Sequence, residues 1–288
     1  MNSNNISNNA GINEYLVELA VPDPNERRSS LCSILTRNHL DYTVQKLDPT
    51  QEKPQGVENY LVEIGPQTNV DPHLLFCAHY DAFPASCGAN DNSAAVCILI
   101  KLAIELKNQG NISATFAFFD GEESKHSGSK LYVSELDKSR ISAVINLDIC
   151  GYGDTITVYS HGSTDKAPIR NFCNKALLLR HNGQLVKYLP ESDDIAFNGM
   201  HLPTLNLAIM PKWDTHNLRT LATYNDNILG KPPEFEMIVG QMEVITTMHG
   251  SFRDKVSIVQ PEAMQQVYNY LFDSITSPLL EKKRFLFF

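Results

Sequence analysis

The sequence lacks several features that mark whole classes of protein. No apolar run approaches the length of a membrane-spanning helix, and residues 1–9 are rich in Asn and Ser without the basic start and apolar core of a signal peptide. No stripe of Lys and Arg stands out, and the formal net charge is -9. Such a chain is a poor match for nucleic acid or an anionic membrane. We therefore expect a cytoplasmic protein that binds neither.

Cysteine is scarce and is not arranged in pairs. The 288 residues contain six cysteines and no C-x-x-C, so no zinc finger is indicated. Cys77 and Cys97 lie within apolar runs, where cysteine behaves as a small buried hydrophobe, and we expect reduced thiols. A chain of this length can form its core without disulfides. With no repeat and no linker, we expect a disordered N-terminus at residues 1–10 and one domain at residues 11–288.

Apolar patterning predicts strands and helices in crossover order. Continuous apolar runs, typical of strands covered on both faces, alternate with apolar residues at helical spacing. This order implies an α/β fold with a mixed, largely parallel central sheet flanked by helices on both faces. The predicted strands are 42–47, 59–64, 74–78, 112–119, 142–147, 155–160 and 205–209, and the predicted helices are 12–20, 26–40, 93–107, 127–136, 168–181 and 261–275. Residues 211–248 lose clean periodicity and are interpreted as a helix and a long loop, forming a wall or lid.

Histidine and acidic residues follow directly after the apolar strands. His79 ends one run, Glu122 and Glu123 come after the next, and Asp148 follows a third. Ligands of such sheets bind at the carboxyl ends of the strands, so we expect these side chains to meet. Imidazole and carboxylate suit zinc, and hydrolysis also needs a carboxylate that stays off the metal as a general base. Glu122 and Glu123, being adjacent, could divide these two roles.

A set of short motifs resembles the M28 family of zinc aminopeptidases. The resemblance runs from about residue 10 to the C-terminus and implies a zinc-exopeptidase fold, two zinc ions per chain and a peptide substrate that loses its N-terminal residue. The motifs are His79-x-Asp81, Gly88-Ala89-Asn90-Asp91-Asn92, Asp120-Gly121-Glu122-Glu123, Asn146-Leu147-Asp148, Ser192-Asp193 and Met248-His249-x-x-x-x-Asp254.

The resemblance also implies a role for each residue of the site. Glu122 would be the general base, Asp81 would orient the His79 ring, and the Asp91–Asn92 peptide bond would be cis. Five residues would hold the zinc ions: His79 and Asp148 the first ion, Glu123 and His249 the second, and Asp91 both.

Two motifs depart from the family pattern, and two alternative functions stay open. The usual S-D-H is Ser192-Asp193-Asp194 here, and the usual H-T is His249-Gly250. The first alternative is a glutaminyl cyclase with a single zinc ion, although Met248 stands where the cyclases have tryptophan. The second is a binding protein without catalysis, although every ligand position holds a competent residue.

Other aromatic, apolar and imidazole side chains are harder to assign. One group would either line an apolar subsite or belong to the core: Ile195, Phe197, Trp213 and Met248. The remaining histidines considered are interpreted as surface or structural: His73, His126, His161, His181, His201 and His216.

Overall fold

A single mixed sheet forms the centre of the protein. The structure is a computed structural model that describes residues 11–49, 56–66, 73–162, 164–225 and 230–278, so the expected disordered N-terminus lies outside the described residues. Within those residues, eight strands pair in the order β1-β2-β4-β3-β5-β8-β6-β7. They are β1 Thr43–Leu47, β2 Val57–Ile64, β3 Leu74–His79, β4 Ala114–Phe119, β5 Ala143–Leu147, β6 Thr155–His161, β7 Gly183–Val186 and β8 Thr204–Met210.

The strand directions confirm the predicted mixed sheet. The β3/β4, β3/β5, β5/β8 and β6/β7 pairs are parallel. The β1/β2, β2/β4 and β6/β8 pairs are antiparallel. Strands β4, β3 and β5 are thus three parallel neighbours in the middle of the sheet.

Helices cover both faces of the sheet. Helices α1, α2, α3 and α8 pack on one face, while α4, α6 and α7 pack on the other. No helix in the described ranges is long and apolar enough to cross a membrane. The helices are α1 Leu16–Leu19, α2 Pro24–Arg37, α3 Ala94–Gln109, α4 Ser127–Glu135, α5 Lys175–Arg180, α6 Asp214–Asn225, α7 Pro233–Gln241 and α8 Pro261–Thr276.

The helix ends follow from local chemistry in the sequence. Asp23 precedes α2, and its side chain accepts hydrogen bonds from the backbone N–H groups of Asn25 and Glu26, at 2.8 and 2.9 Å. Pro24 is the first residue of the helix, where a missing N–H costs nothing. Helix α3 ends at Gly110, whose φ of 69° is easily adopted by glycine.

Four segments differ from their sequence-based predictions. The predicted helix 12–20 is helical only at Leu16–Leu19. Residues 211–248 contain two helices, α6 and α7, where one helix and a long loop were expected, and Pro233 is the first residue of α7, a position that tolerates proline. The predicted helix 168–181 is a short 3-10 turn, Ala167–Ile169, followed by the six residues of α5, which starts after its capping residue Asn174. The four-residue strand β7 is too short to stand out by periodicity.

The aromatic centre of the core gives a stability prediction. Phe76 and Phe116 are fully buried, and their rings stack with centroids 5.3 Å apart. We expect Phe76→Ala to lower the free energy of unfolding by about 3–5 kcal/mol, because it leaves a cavity in the core. Chemical denaturation measures this. Val17→Ala, at a side chain that is 67% exposed, is the control, and equal losses in both variants would contradict the assignment.

Candidate metal centre

Three neighbouring strands end at one edge of the sheet and bring the candidate ligands together. Strand β3 ends at His79, which pairs in register with Phe119 at the end of β4. On the other side, Cys77 of β3 pairs with Asn146 of β5, so His79 and Asp148 lie two residues beyond that pair. The parallel arrangement therefore places His79, Asp148 and the Asp120–Glu123 segment side by side.

His79, Asp91 and Asp148 form a compact cluster. His79 Nε2 lies 3.3 Å from Asp91 Oδ1 and 3.5 Å from Asp148 Oδ1. One ligand atom from each of the three residues lies within 4.8 Å of the others, and no other group of His, Cys, Asp or Glu in the described ranges meets this criterion. The set consists of one imidazole nitrogen and two carboxylate oxygens, which is a donor set that suits zinc.

A tight turn carries Asp91 into the cluster. In the turn Ala89–Ser93, Asp91 and Asn92 leave helical geometry, and the peptide bond between them is cis, as the resemblance implied. Gly88 precedes the turn with a φ of 59°, and a side chain there would lie 2.5 Å from Ala82 Cβ.

The carboxylate of Asp254 accepts hydrogen bonds from this turn and from the residues before it. Its Oδ1 accepts hydrogen bonds from the backbone N–H groups of Asn90 at 2.8 Å and Asp91 at 3.4 Å. Its Oδ2 accepts a hydrogen bond from the Ser86 hydroxyl at 2.9 Å. Because Asp254 is only 2% exposed, these donors compensate a buried carboxylate and fix the position of Asp91.

Asp81 links His79 to the two glutamates. Its carboxylate accepts hydrogen bonds from the backbone N–H groups of Glu122 at 3.1 Å and Glu123 at 3.2 Å. The same carboxylate lies 3.3 Å from His79 Nδ1, which leaves Nε2 to face Asp91 and Asp148. Asp81 therefore lies where it can set both the ring orientation of His79 and the course of the Glu122–Glu123 backbone.

Glu123 and His249 lie next to the cluster but outside its compact group. Glu123 Oε1 is buried and has no hydrogen-bond partner among the described residues. His249 is exposed, and its backbone N–H donates to Asp91 Oδ2 at 2.8 Å. The assignment of a second zinc ion to these two residues stays a prediction.

The pKa values and unpartnered atoms of the cluster show whether a metal ion fits here. Burial raises the pKa of Glu123 to about 8, and the Asp91 carboxylate adds to the rise. Burial would lower the pKa of His79, but Asp148, Asp81 and Asp91 outweigh it and raise that pKa well above its ordinary value. His79 Nε2, Glu123 Oε1 and Asp148 Oδ1 are buried without a hydrogen-bond partner in the described part of the chain. A divalent cation would replace the protons and satisfy these atoms, so the residues fit zinc.

Asp193 is a site residue to which the sequence reasoning assigned no role. It is fully buried, neither carboxylate oxygen accepts a hydrogen bond from a described group, and burial raises its pKa to about 7. Asp193 begins the 3-10 turn Asp193–Phe197, and its charge interacts with His79 and Glu122. The Ser192-Asp193 motif itself was the signal, since it belonged to the resemblance.

In the Ser192-Asp193-Asp194 motif, Asp194 contacts an imidazole at the end of another strand. His161 at the end of β6 lies with Nε2 2.5 Å from Asp194 Oδ2. Asp194 Oδ1 accepts a hydrogen bond from the backbone N–H of Ser192 at 3.0 Å. His161, expected at the surface or in a structural role, therefore supports the turn that carries Asp193.

The apolar residues and the H-G motif now have definite places. Phe197 and Met248 are buried in the core, Ile195 is half-buried, and Trp213 is 63% exposed. Gly250 has a φ of 70°, and a side chain there would come within 2.5 Å of the Phe83 ring. The glycine after His249 therefore lets Phe83 pack closely beside a candidate ligand.

Comparison with known proteins identifies the family. The sequence model of peptidase family M28 matches residues 59–232, more than half of the chain, and the chain belongs to this family. Both His249 and Asp254 lie beyond the matched residues. The chain is similar to a vacuolar membrane protease of Saccharomyces cerevisiae, with 29% identity over 112 residues, 38% of this chain and 12% of that protein. It is also similar to a Mycobacterium tuberculosis protein named "Probable lipoprotein aminopeptidase LpqL", with 34% identity over 77 residues, 25% of this chain and 15% of that protein.

Solved structures share the fold at low sequence identity. A Zn-dependent exopeptidase from Parabacteroides distasonis superposes with a TM-score of 0.65 at 14% identity, covering 93% of this chain and 99% of that one. A glutaminyl cyclase from Porphyromonas gingivalis gives a TM-score of 0.65 at 16% identity, covering 91% of this chain and 96% of that one. The fold is that of the zinc exopeptidases, and the family supports a metallopeptidase-type hydrolase.

The relatives leave two expectations open. The chain spans only 12–15% of the length of the curated relatives described above, so their full activities do not transfer to it directly. The expected cytoplasmic location stays a prediction, since one relative is named as a membrane protease.

The contacts of Asp254 generate a prediction about metal affinity. We expect Asp254→Ala to weaken zinc binding about 10- to 100-fold, because the turn that carries Asp91 loses its support. Competition with a fluorescent chelator measures the affinity.

Asp214→Ala is the matched control for that variant. Asp214 is also buried and accepts hydrogen bonds from two backbone N–H groups, those of Glu243 and Val244, at 3.0 and 2.8 Å. This control should lose stability while it retains zinc affinity. Equal loss of zinc affinity in both variants would show that Asp254 has no specific role.

Proposed function

We propose that the protein is an aminopeptidase that removes N-terminal residues from peptides with two zinc ions and Glu122 as the general base. The observation that carries the proposal is the cluster of His79, Asp91 and Asp148 at the carboxyl edge of the sheet, with the charge of Glu122 close enough to act on His79. Membership of peptidase family M28 supports the same chemistry.

The residues divide the work of hydrolysis. His79 and Asp148 would hold the first zinc ion, Glu123 and His249 the second, with Asp91 between them. When bound, zinc supplies Lewis acidity at the scissile carbonyl and lowers the pKa of a water molecule. Glu122 takes the proton of the attacking water and passes it to the leaving amine.

The acidic surroundings of the cluster favour a substrate with a free amino terminus. Asp81, Asp193 and Glu122 add carboxylates around the candidate ligands, and Asp193 is buried beside them without a hydrogen-bond partner among the described residues. An N-terminal ammonium group is attracted to such a site, whereas an acetylated terminus is not.

A glutaminyl cyclase is the second candidate, because cyclase structures superpose over nearly their whole length. At 16% identity, this similarity of fold does not show that the two proteins catalyse the same reaction. Met248 takes the place of the cyclase tryptophan and is only 4% exposed, which puts it in the core.

Substrate assays on the zinc-loaded protein separate the two functions. Aminoacyl chromogenic substrates and free peptides should be cleaved, and N-terminally acetylated peptides should not. Conversion of N-terminal glutamine to a cyclic product with release of ammonia, in the absence of cleavage, would instead establish the cyclase.

The role of Glu122 gives a prediction that separates binding from chemistry. We expect Glu122→Gln to lower kcat by at least about 100-fold, since the amide cannot accept the proton, while zinc content stays at the wild-type value. Steady-state kinetics and elemental analysis of the same sample measure both quantities. Retention of wild-type kcat would remove Glu122 from the mechanism.

A further inference from the structure

The imidazole of His126 lies against the carboxylate of Glu122. His126 Nδ1 is 3.1 Å from Glu122 Oε1, and the two side chains are 19% and 11% exposed. Nδ1 makes no hydrogen bond to any described group, so its contact with Glu122 is an ion pair. The backbone N–H of His126 also donates to the Glu122 carbonyl oxygen at 2.9 Å. His126 therefore contacts Glu122 through both its side chain and its backbone.

Two consecutive residues of left-handed backbone precede α4 at this point. Lys125 and His126 both adopt the left-handed conformation, with φ values of 68° and 56°. This conformation is uncommon for residues other than glycine, and such residues are concentrated at functional sites. His126 occupies the position before the first residue of α4, but its side chain makes no capping hydrogen bond. Helix capping therefore does not account for the position of the His126 imidazole.

The charges facing His126 favour its protonated form. Glu122 raises the pKa of His126 above its ordinary value, burial opposes this, and Asp193 from the turn packed against α4 adds to the rise. Lys130, further along α4, acts in the opposite direction. In the protonated form, the imidazolium ring is ion-paired with Glu122 Oε1 across this 3.1 Å contact.

We propose that His126 is a positioning residue that fixes the Glu122 carboxylate through Oε1 and leaves Oε2 free for the attacking water. The inference deepens the proposed function and rests on Glu122 being the general base. A carboxylate held at one oxygen keeps one orientation, and the rate of proton transfer depends on that orientation.

A spectroscopic test of the pair does not depend on catalysis. In the zinc-loaded protein, the ring C–H NMR signals of His126 are followed against pH, and His126→Gly identifies them by their loss. We expect the pKa of His126 to be lower in Glu122→Gln than in the wild type, because the carboxylate that favours the charged ring is removed. A pKa that is the same in both proteins would overturn the pairing.

Kinetic variants test the positioning role. Glycine and asparagine both tolerate the left-handed conformation, and asparagine keeps an N–H donor near the position of Nδ1. We expect His126→Gly to lower kcat at least about tenfold with KM and zinc content unchanged, because small displacements of a catalytic group are costly. His126→Asn should recover most of that loss.

Lys125→Gly is the matched control, because Lys125 is exposed and has the neighbouring left-handed backbone. It should keep wild-type kcat. Wild-type kcat in His126→Gly, loss of its zinc, or no recovery in His126→Asn would each overturn the proposal. A wild-type protein that cleaves no peptide would contradict the proposed function instead, and the NMR comparison would still decide the pairing.

Discussion

Carboxylates crowded at one buried edge of the sheet are the constraint on which the rest of the site depends. A buried carboxylate is costly unless hydrogen-bond donors or a cation compensate it. Asp81 and Asp254 receive backbone N–H donors and thereby position the chain. Asp148 Oδ1 and Glu123 Oε1 receive none from the described residues, and both remain available as ligands. Asp81 and Asp254 therefore fix the backbone around the site, whereas Asp148 and Glu123 keep oxygens that can bind a metal ion.

Segments that are distant in sequence converge on the turn that carries Asp91. From α2, the buried Arg27 donates to the carbonyl oxygens of Ser86 and Cys87, at 3.2 and 3.1 Å. From the segment before α8, Asp254 accepts the hydrogen bonds of Ser86 and of the turn itself. The position of a single candidate ligand is thus set by tertiary contacts as well as by strand ends. Asp91, which lies outside the strands, is thus positioned by hydrogen bonds with the rest of the fold.

The parts of the structure that could be predicted from the sequence are those that depend on residues close together in the chain. Continuous apolar runs located β3, β4 and β5, and the strand ends located His79 and Asp148. The cis bond at Asp91 came from the family resemblance, not from local pattern. The surroundings of His126, His161 and Asp193 are set by contacts across 4 to 33 residues or by burial, which composition and periodicity do not encode. Helix α7 was not distinguished from a loop because residues 211–248 lose clean periodicity and Pro233 stands at the first position of this short helix.

The central claim is that this edge of the sheet holds zinc between His79, Asp91 and Asp148. Anomalous diffraction at the zinc absorption edge, from crystals of the zinc-loaded protein, tests it most directly. We expect one peak about 2.0–2.2 Å from His79 Nε2 and from carboxylate oxygens of the two aspartates, and a second peak about 3.5–4 Å away towards Glu123 and His249. Zinc bound elsewhere, with His79 Nε2 free, would contradict the account.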